Sequence, residues 1–217
     1  MSVKTLRLIP SKAPNLPLAP DQYGNKYFDM YSNVLRLYFN KIDNLFENLL
    51  GVTGTKTLRS IYGSFYDTAN HTAAAATVTS ITINTTAIAN DVRIGTPASR
   101  IYVTNAGVYN VQFSLQFSNP TAQIDDVTVW FRLNGVNIPN SASILGVPPK
   151  YGSVDGHTIM ALNFMLELNA EDYIELYWTT DSGNSSIITY SSSTIPPVHP
   201  ASPAVILTVS FVSALAN

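Results

Sequence analysis

Apolar residues recur every three or four positions between residues 28 and 50 of this chain, and every second position through much of the chain after residue 61. A helix buries one stripe at a period of 3.6 and a strand buries one face at a period of 2, so one element cannot satisfy both patterns. The chain therefore has to be built in two parts. In the first, Phe28, Tyr31, Leu35, Tyr38, Ile42, Leu45 and Leu49 are separated by 3, 4, 3, 4, 3 and 4 residues, which is an a/d seam, and Gly51 stops the run as a helix C-cap would. Met30, Val34, Leu37, Phe39, Phe46 and Leu50 widen the apolar face beyond a strict seam. A helix of this length is marginal alone in water. It needs cover, either from its own domain or from a parallel bundle of identical chains, and residues 21–51 read as a trimerisation segment in the second case.

Residues 1–20 carry prolines at 10, 14, 17 and 20, which fix φ and remove amide donors, so this piece is an extended arm rather than a helix. Leu6, Leu8, Ile9, Leu16 and Leu18 make it too apolar for a solvated tail. Such an arm either folds back on its own domain or lies in a groove on a partner. Residues 1–60 hold eight Lys/Arg against four Asp/Glu, whereas residues 61–217 hold four against ten. The front of the chain suits an acidic protein partner, but its cations are unclustered and lack the aromatic interleaving of a nucleic-acid arm.

Residues 52–60 read as a linker, and 61–217 as one β domain. Ile81 and Ile83 suggest a strand, as do residues 99–103. After Gly107, Tyr109, Val111, Phe113, Leu115 and Phe117 alternate with polar residues, and Val127, Val129, Phe131 and Leu133 repeat the pattern before Asn134-Gly135, the dipeptide that favours a two-residue hairpin turn. Further strands are expected at 157–168, 173–179, 187–190 and 204–212. Eight or more short strands at this spacing predict an antiparallel sandwich or jelly roll with Ile101, Tyr109, Val111, Phe113, Ile174 and Leu176 in its core.

Chemistry is hard to find. The chain of 217 residues has no cysteine, which excludes thiol catalysis and cysteine-based metal sites, and only 12% of its residues are charged while Ser, Thr and Asn supply 61. No run approaches a membrane span, and the N-terminus lacks a signal-peptide core. His71, His157 and His199 do not share ligand spacing, and the adjacent pairs Asp125-Asp126 and Glu171-Asp172 read as solvated turn ends, the alternative being a calcium ion held by one such turn with backbone carbonyls. Nucleophile elbows and phosphate-cradling glycine loops do not occur. Asn70, Asn84 and Asn184 open glycosylation sequons at the frequency that composition alone produces. No catalytic, cofactor or metal-binding residue is expected. The proline-rich loops at 146–150 and 196–200, with Tyr151 and Tyr190 nearby, read first as ordinary connections, the alternative being a surface that binds a glycan or receptor.

The stretch Gly107-Val-Tyr109-Asn-Val111-Gln-Phe113 resembles the central strand of the complement-head and tumour-necrosis-factor jelly rolls, which are trimeric. Ile101, Ile94 and Ile83 match that family's apolar positions in spacing, the family's Asn/Asp falls at Ala89 beside Asn90, and Leu168-Asn-Ala-Glu171-Asp172-Tyr-Ile174-Glu-Leu176 matches its Leu-x-x-Gly-Asp-x-Val-x-Leu with Glu171 in place of Gly. The chain as a whole is similar to virion proteins of tailed bacteriophages of marine or cyanobacterial hosts, through Pro14-Asn-Leu-Pro, the helix segment 33–44, Gly63-Ser-Phe-Tyr66 and Ser99-Arg-Ile-Tyr-Val103. These resemblances imply a non-enzymatic virion-surface component made in the host cytoplasm. They imply a homotrimeric capsid decoration or cement protein whose arm docks on the major capsid protein or another virion protein. The alternative is a head or tail fibre or spike whose loops bind a host surface receptor or glycan. Neither a nucleic acid nor a membrane is implied as partner.

Overall fold

The computed structural model describes residues 14–18, 22, 24–50 and 60–215, with helix side chains through Phe46. The chain divides into two compact units, Met1–Arg59 and Ser60–Asn217. Within the first, α1 runs over Asn25–Leu50, starting three residues before the apolar run because Gly24 accepts the first turn's amide from Tyr27 at 3.1 Å. Residues 14–18 lie outside helix and strand, and Tyr27 Oη donates to the Pro17 carbonyl at 3.3 Å. Leu6, Leu8 and Ile9 of the arm, most of the 52–60 linker and the side chain of Leu49 lie outside the described residues.

In the second unit the strands are β1 (Tyr62–Asp67), β2 (His71–Thr72), β3 (Thr79–Ser80), β4 (Thr85–Asn90), β5 (Val92–Ile94), β6 (Ile101–Val103) and β7 (Gly107–Asn119). They continue with β8 (Asp125–Leu133), β9 (Val136–Asn137), β10 (Ser143–Val147), β11 (Gly156–Leu168), β12 (Tyr173–Thr180), β13 (Ser186–Ile187) and β14 (Val205–Ser213). One sheet runs β4-β1-β14-β7-β11, with β13 and β2 completing it beside the end of β7. The other runs β5-β6-β12-β8-β10, with β3 on β12 and β9 on β8. Every described pairing is antiparallel, and the chain crosses between the sheets repeatedly, at β2/β3, β3/β4, β4/β5, β6/β7, β7/β8, β10/β11, β11/β12 and β12/β13. This is a jelly-roll sandwich.

Period-2 alternation decides which side chains fill it. Tyr109, Val111, Leu115 and Phe117 of β7, Val127, Val129 and Phe131 of β8, and Ile174 and Trp178 of β12 are essentially inaccessible, as is Ile101; Phe113 and Leu176 are 4% exposed. Phe131 sets its ring edge-on to Phe113 at 5.5 Å and to Phe164 at 5.3 Å, so the two sheets interdigitate through aromatics. Asn134 (φ 50°) and Gly135 (φ 83°) form the two-residue turn between β8 and β9, both in the left-handed region that such a hairpin requires.

Three sequence expectations need correction. Ile81 and Ile83 are buried but lie outside a strand: their amides donate singly to Leu176 O and Ala98 O, so they plug the core from an irregular segment. The 187–190 strand shrinks to Ser186–Ile187, after which Tyr190 exchanges a bridge with Ser202 and Ser193 one with His199, making a projecting hairpin. Asp125 is not a solvated turn end. It is 1% exposed, and its carboxylate accepts from Thr180 Oγ1 (2.6 Å), Ser182 N (3.0 Å), Ser182 Oγ (2.7 Å) and Ser185 N (2.7 Å), tying the start of β8 to the end of β12.

Candidate functional site

The helix is the first candidate. None of its side chains from Asn25 to Phe46 is buried: the seam residues Tyr31, Leu35, Tyr38, Ile42 and Leu45 are half-buried, while Phe28, Leu37, Phe39 and Phe46 are exposed. At 100° per residue the apolar side chains sweep roughly 220° of the helix circumference, and Asn25, Asp29, Arg36 and Asn40 lie in the remaining arc. In the arm, Leu16 and Leu18 are exposed, Leu18 by 94%. The structure thus brings the described seam residues onto one helix face, and none of them is buried.

The sandwich has two outer faces of opposite character. On the β5–β10 sheet, Arg93 lies 4.4 Å over the Tyr102 ring, Arg100 4.4 Å over Tyr173 and Arg132 3.9 Å over Tyr177, with Trp130 stacked beside Tyr177 at 6.2 Å. Three of the four Lys/Arg of residues 61–217 sit here, each on a tyrosine. Arg93 also pairs with Glu171 at 2.8 Å, and buried Glu175 accepts from Ser99 Oγ at 2.6 Å. Glu171 has φ 66°, in the left-handed region where the resembling family has Gly; its amide donates to Val103 O at 2.8 Å.

The outer face of the other sheet carries almost no charge. Register sets Ser114 of β7 between Ile206 of β14 and Ala161 of β11, and Gln112 between Thr208 and Asn163. These residues line a shallow groove of about 380 Å³, flanked by exposed Ile159 and Met165. Among the outward residues of β7, β11 and β14, only Glu167 bears a full charge.

β1 begins at Tyr62 opposite Ser210 and ends at Asp67 opposite Val205, so the chain enters the sandwich at the end away from Asn119, Gly156 and Thr180. The loops at that far end bear exposed apolar side chains: Ile124, Tyr151 (91% exposed), Val154, Ile195 and Val198. There His157 Nδ1 and Tyr190 Oη are 2.9 Å apart with their rings edge to face at 5.8 Å, beside a cavity of about 500 Å³. Burial, and then the charge of Asp155, raise the Tyr190 hydroxyl's pKa above its usual 10.

Sequence reading also misses a carboxylate–imidazole contact. His71 Nε2 lies 3.5 Å from Asp67 Oδ2, both residues nearly buried, on an i, i+4 spacing in a turn between β1 and β2. Burial lowers the His71 pKa more than Asp67 raises it, so the imidazole is neutral at pH 7. Asp67 also accepts from Ala69 N (2.7 Å) and Thr82 Oγ1 (3.2 Å), which makes it the clasp of its loop. Among the described residues no group of three His, Asp or Glu is placed to share a metal ion, and no helix is long and apolar enough to cross a membrane. His199 meets only its own turn, its Nδ1 being 2.9 Å from Pro200 O.

No protein-family model matches the chain, and no curated protein sequence is similar to it. Among solved structures, the Eiger TNF of S. frugiperda is similar over 73% of this chain and 96% of its own length, with a TM-score of 0.48 and 9% identity. Murine APRIL is similar over 71% of this chain and 100% of its own, with a TM-score of 0.45 and 11% identity. The jelly-roll assignment rests on the strand pairing described above.

Proposed function

We propose that this protein is a non-enzymatic structural component of a tailed-phage virion, a homotrimeric capsid decoration or cement protein anchored by its N-terminal arm. The observation that carries the reading is the open seam: a 26-residue helix with three heptads of a/d residues and no buried side chain from Asn25 to Phe46. Burying one such side chain fully is worth about 1.5–3 kcal/mol, and a parallel bundle of copies offers that burial to every chain at once. An apolar arc of roughly 220° exceeds what a two-stranded seam covers and suits three strands. The uncharged sheet face around Ser114 and Ala161 gives the sandwiches a surface that can meet without stranding a charge.

Three arms on one particle multiply weak contacts by effective concentration, which is how short segments such as Leu16-Pro17-Leu18 hold a knob on a shell. Deleting residues 1–20 leaves the trimer intact in sedimentation and abolishes incorporation into particles; full incorporation of the truncated chain refutes the anchoring role. Particles stripped of the protein break at lower temperature or under milder osmotic shock if it is a cement, and unchanged particles refute that role.

A further inference from the structure

We infer that the cavity beside His157 and Tyr190 is a binding site for a neutral saccharide. It lies at the end of the sandwich opposite the incoming chain, and is lined by Gln116, Phe117, His157, Thr158, Ile159 and Tyr190. It is an open surface depression of about 500 Å³, as shallow as the groove around Ser114.

A sugar ring has an apolar C–H face and a rim of hydroxyls, so its site needs a flat aromatic or aliphatic wall and several uncharged donors and acceptors. This cavity has both. Tyr190 and His157 are locked edge to face by their hydrogen bond, which fixes two ring surfaces before a ligand arrives, and Ile159, an exposed aliphatic on the outward side of β11, supplies the third wall. When Tyr190 Oη donates to His157 Nδ1, the imidazole proton sits on Nε2 as a donor. Gln116 spends both amide hydrogens on Ser202 Oγ and the Pro203 carbonyl, so Oε1 is left as an acceptor for a ligand hydroxyl.

Charge decides the class. The lining has no Lys or Arg, so nothing in it would pair with the carboxylate of an acidic sugar.

The test uses the full chain with saturation-transfer NMR and titration against methyl α-D-glucopyranoside, maltotriose, N,N′-diacetylchitobiose and lactose, with 3′-sialyllactose as the charged probe. At least one neutral saccharide binds with a Kd between micromolar and millimolar. Tyr190→Ala and Ile159→Trp, which fills the cavity without removing a polar group, each weaken it roughly tenfold or more, and Tyr190→Phe does so by a few-fold. Sedimentation and thermal melting of each variant show whether trimer and fold are kept, so loss of the site and loss of the trimer are read separately. Binding of none of the neutral probes, binding of 3′-sialyllactose alone, or saccharide binding that neither Tyr190→Ala nor Ile159→Trp moves overturns the assignment.

Discussion

The helix and the sandwich spend the same kind of residue to opposite ends. In the sandwich, Phe131 touches two other phenylalanines and loses all its accessible surface; in the helix, Phe39 and Phe46 keep more than half of theirs. The difference teaches that a large apolar content does not by itself make a core. β7 and β11 pair along thirteen residues and close on the opposing sheet, whereas α1 presents one wide apolar stripe of which no side chain from Asn25 to Phe46 is buried. The sandwich buries its large side chains within the chain, and the helix does not.

The sharpest way to break this contrast is to charge the seam. Leu35→Asp with Ile42→Asp weakens self-association on the order of a thousandfold or more, because each chain would bring two carboxylates into the bundle. Sedimentation shows smaller species while β-sheet circular dichroism is unchanged. A trimer that survives both substitutions places the contact between copies elsewhere. The converse is Phe131→Ala, expected to cost the sandwich about 3–5 kcal/mol in denaturant unfolding, with no change in the seam's contribution to association.

A third test concerns Asp125. Burial alone would raise its pKa, but four hydrogen bonds from Thr180, Ser182 and Ser185 outweigh it and hold the carboxyl below its ordinary 3.8, at about 2. A carboxylate with a depressed folded pKa stabilises fully above the unfolded value, and that stabilisation is lost as pH falls through the folded one. Stability should be flat above about pH 4 and fall from there towards pH 2. Asp125→Asn lowers the plateau by about 1–3 kcal/mol and removes this residue's part of the acid slope. A variant with the parent slope would show that other carboxylates set it.

The smallest expected effect is at Glu171. Its left-handed φ costs a non-glycine residue about 1 kcal/mol, and its exposed pair with Arg93 returns between 0 and 1. Glu171→Gly is therefore neutral to mildly stabilising in thermal melts, and a clear loss would mean that the Arg93 pair, with its tyrosine stack, is worth more than an ordinary surface ion pair.

Much of this architecture is readable from residue order. The alternation from Tyr109 to Phe117 and the Asn134-Gly135 turn are local statements, and the structure keeps both. Asp125 is misread from sequence because its partners are 55 to 60 residues away, and nothing near an Asp-Asp pair announces a buried cage. Ile81 and Ile83 alternate like a strand, yet their backbone partners, Leu176 and Ala98, belong to different parts of the second unit, so no continuous ladder forms. His157 and Tyr190 are 33 residues apart and meet only because a hairpin folds back over the end of β11.

The sequence alone determined the periods: a 3.6-residue stripe, then a 2-residue alternation, and with them one helix and a set of strands with known inward faces. Those properties come from the geometry of a backbone that each residue shares with its immediate neighbours. Which strand pairs with which, where charge collects, and what closes the cavity at the far end were decided by tertiary structure. Such choices depend on the free energy of bringing distant segments together, and no short stretch of chain contains it.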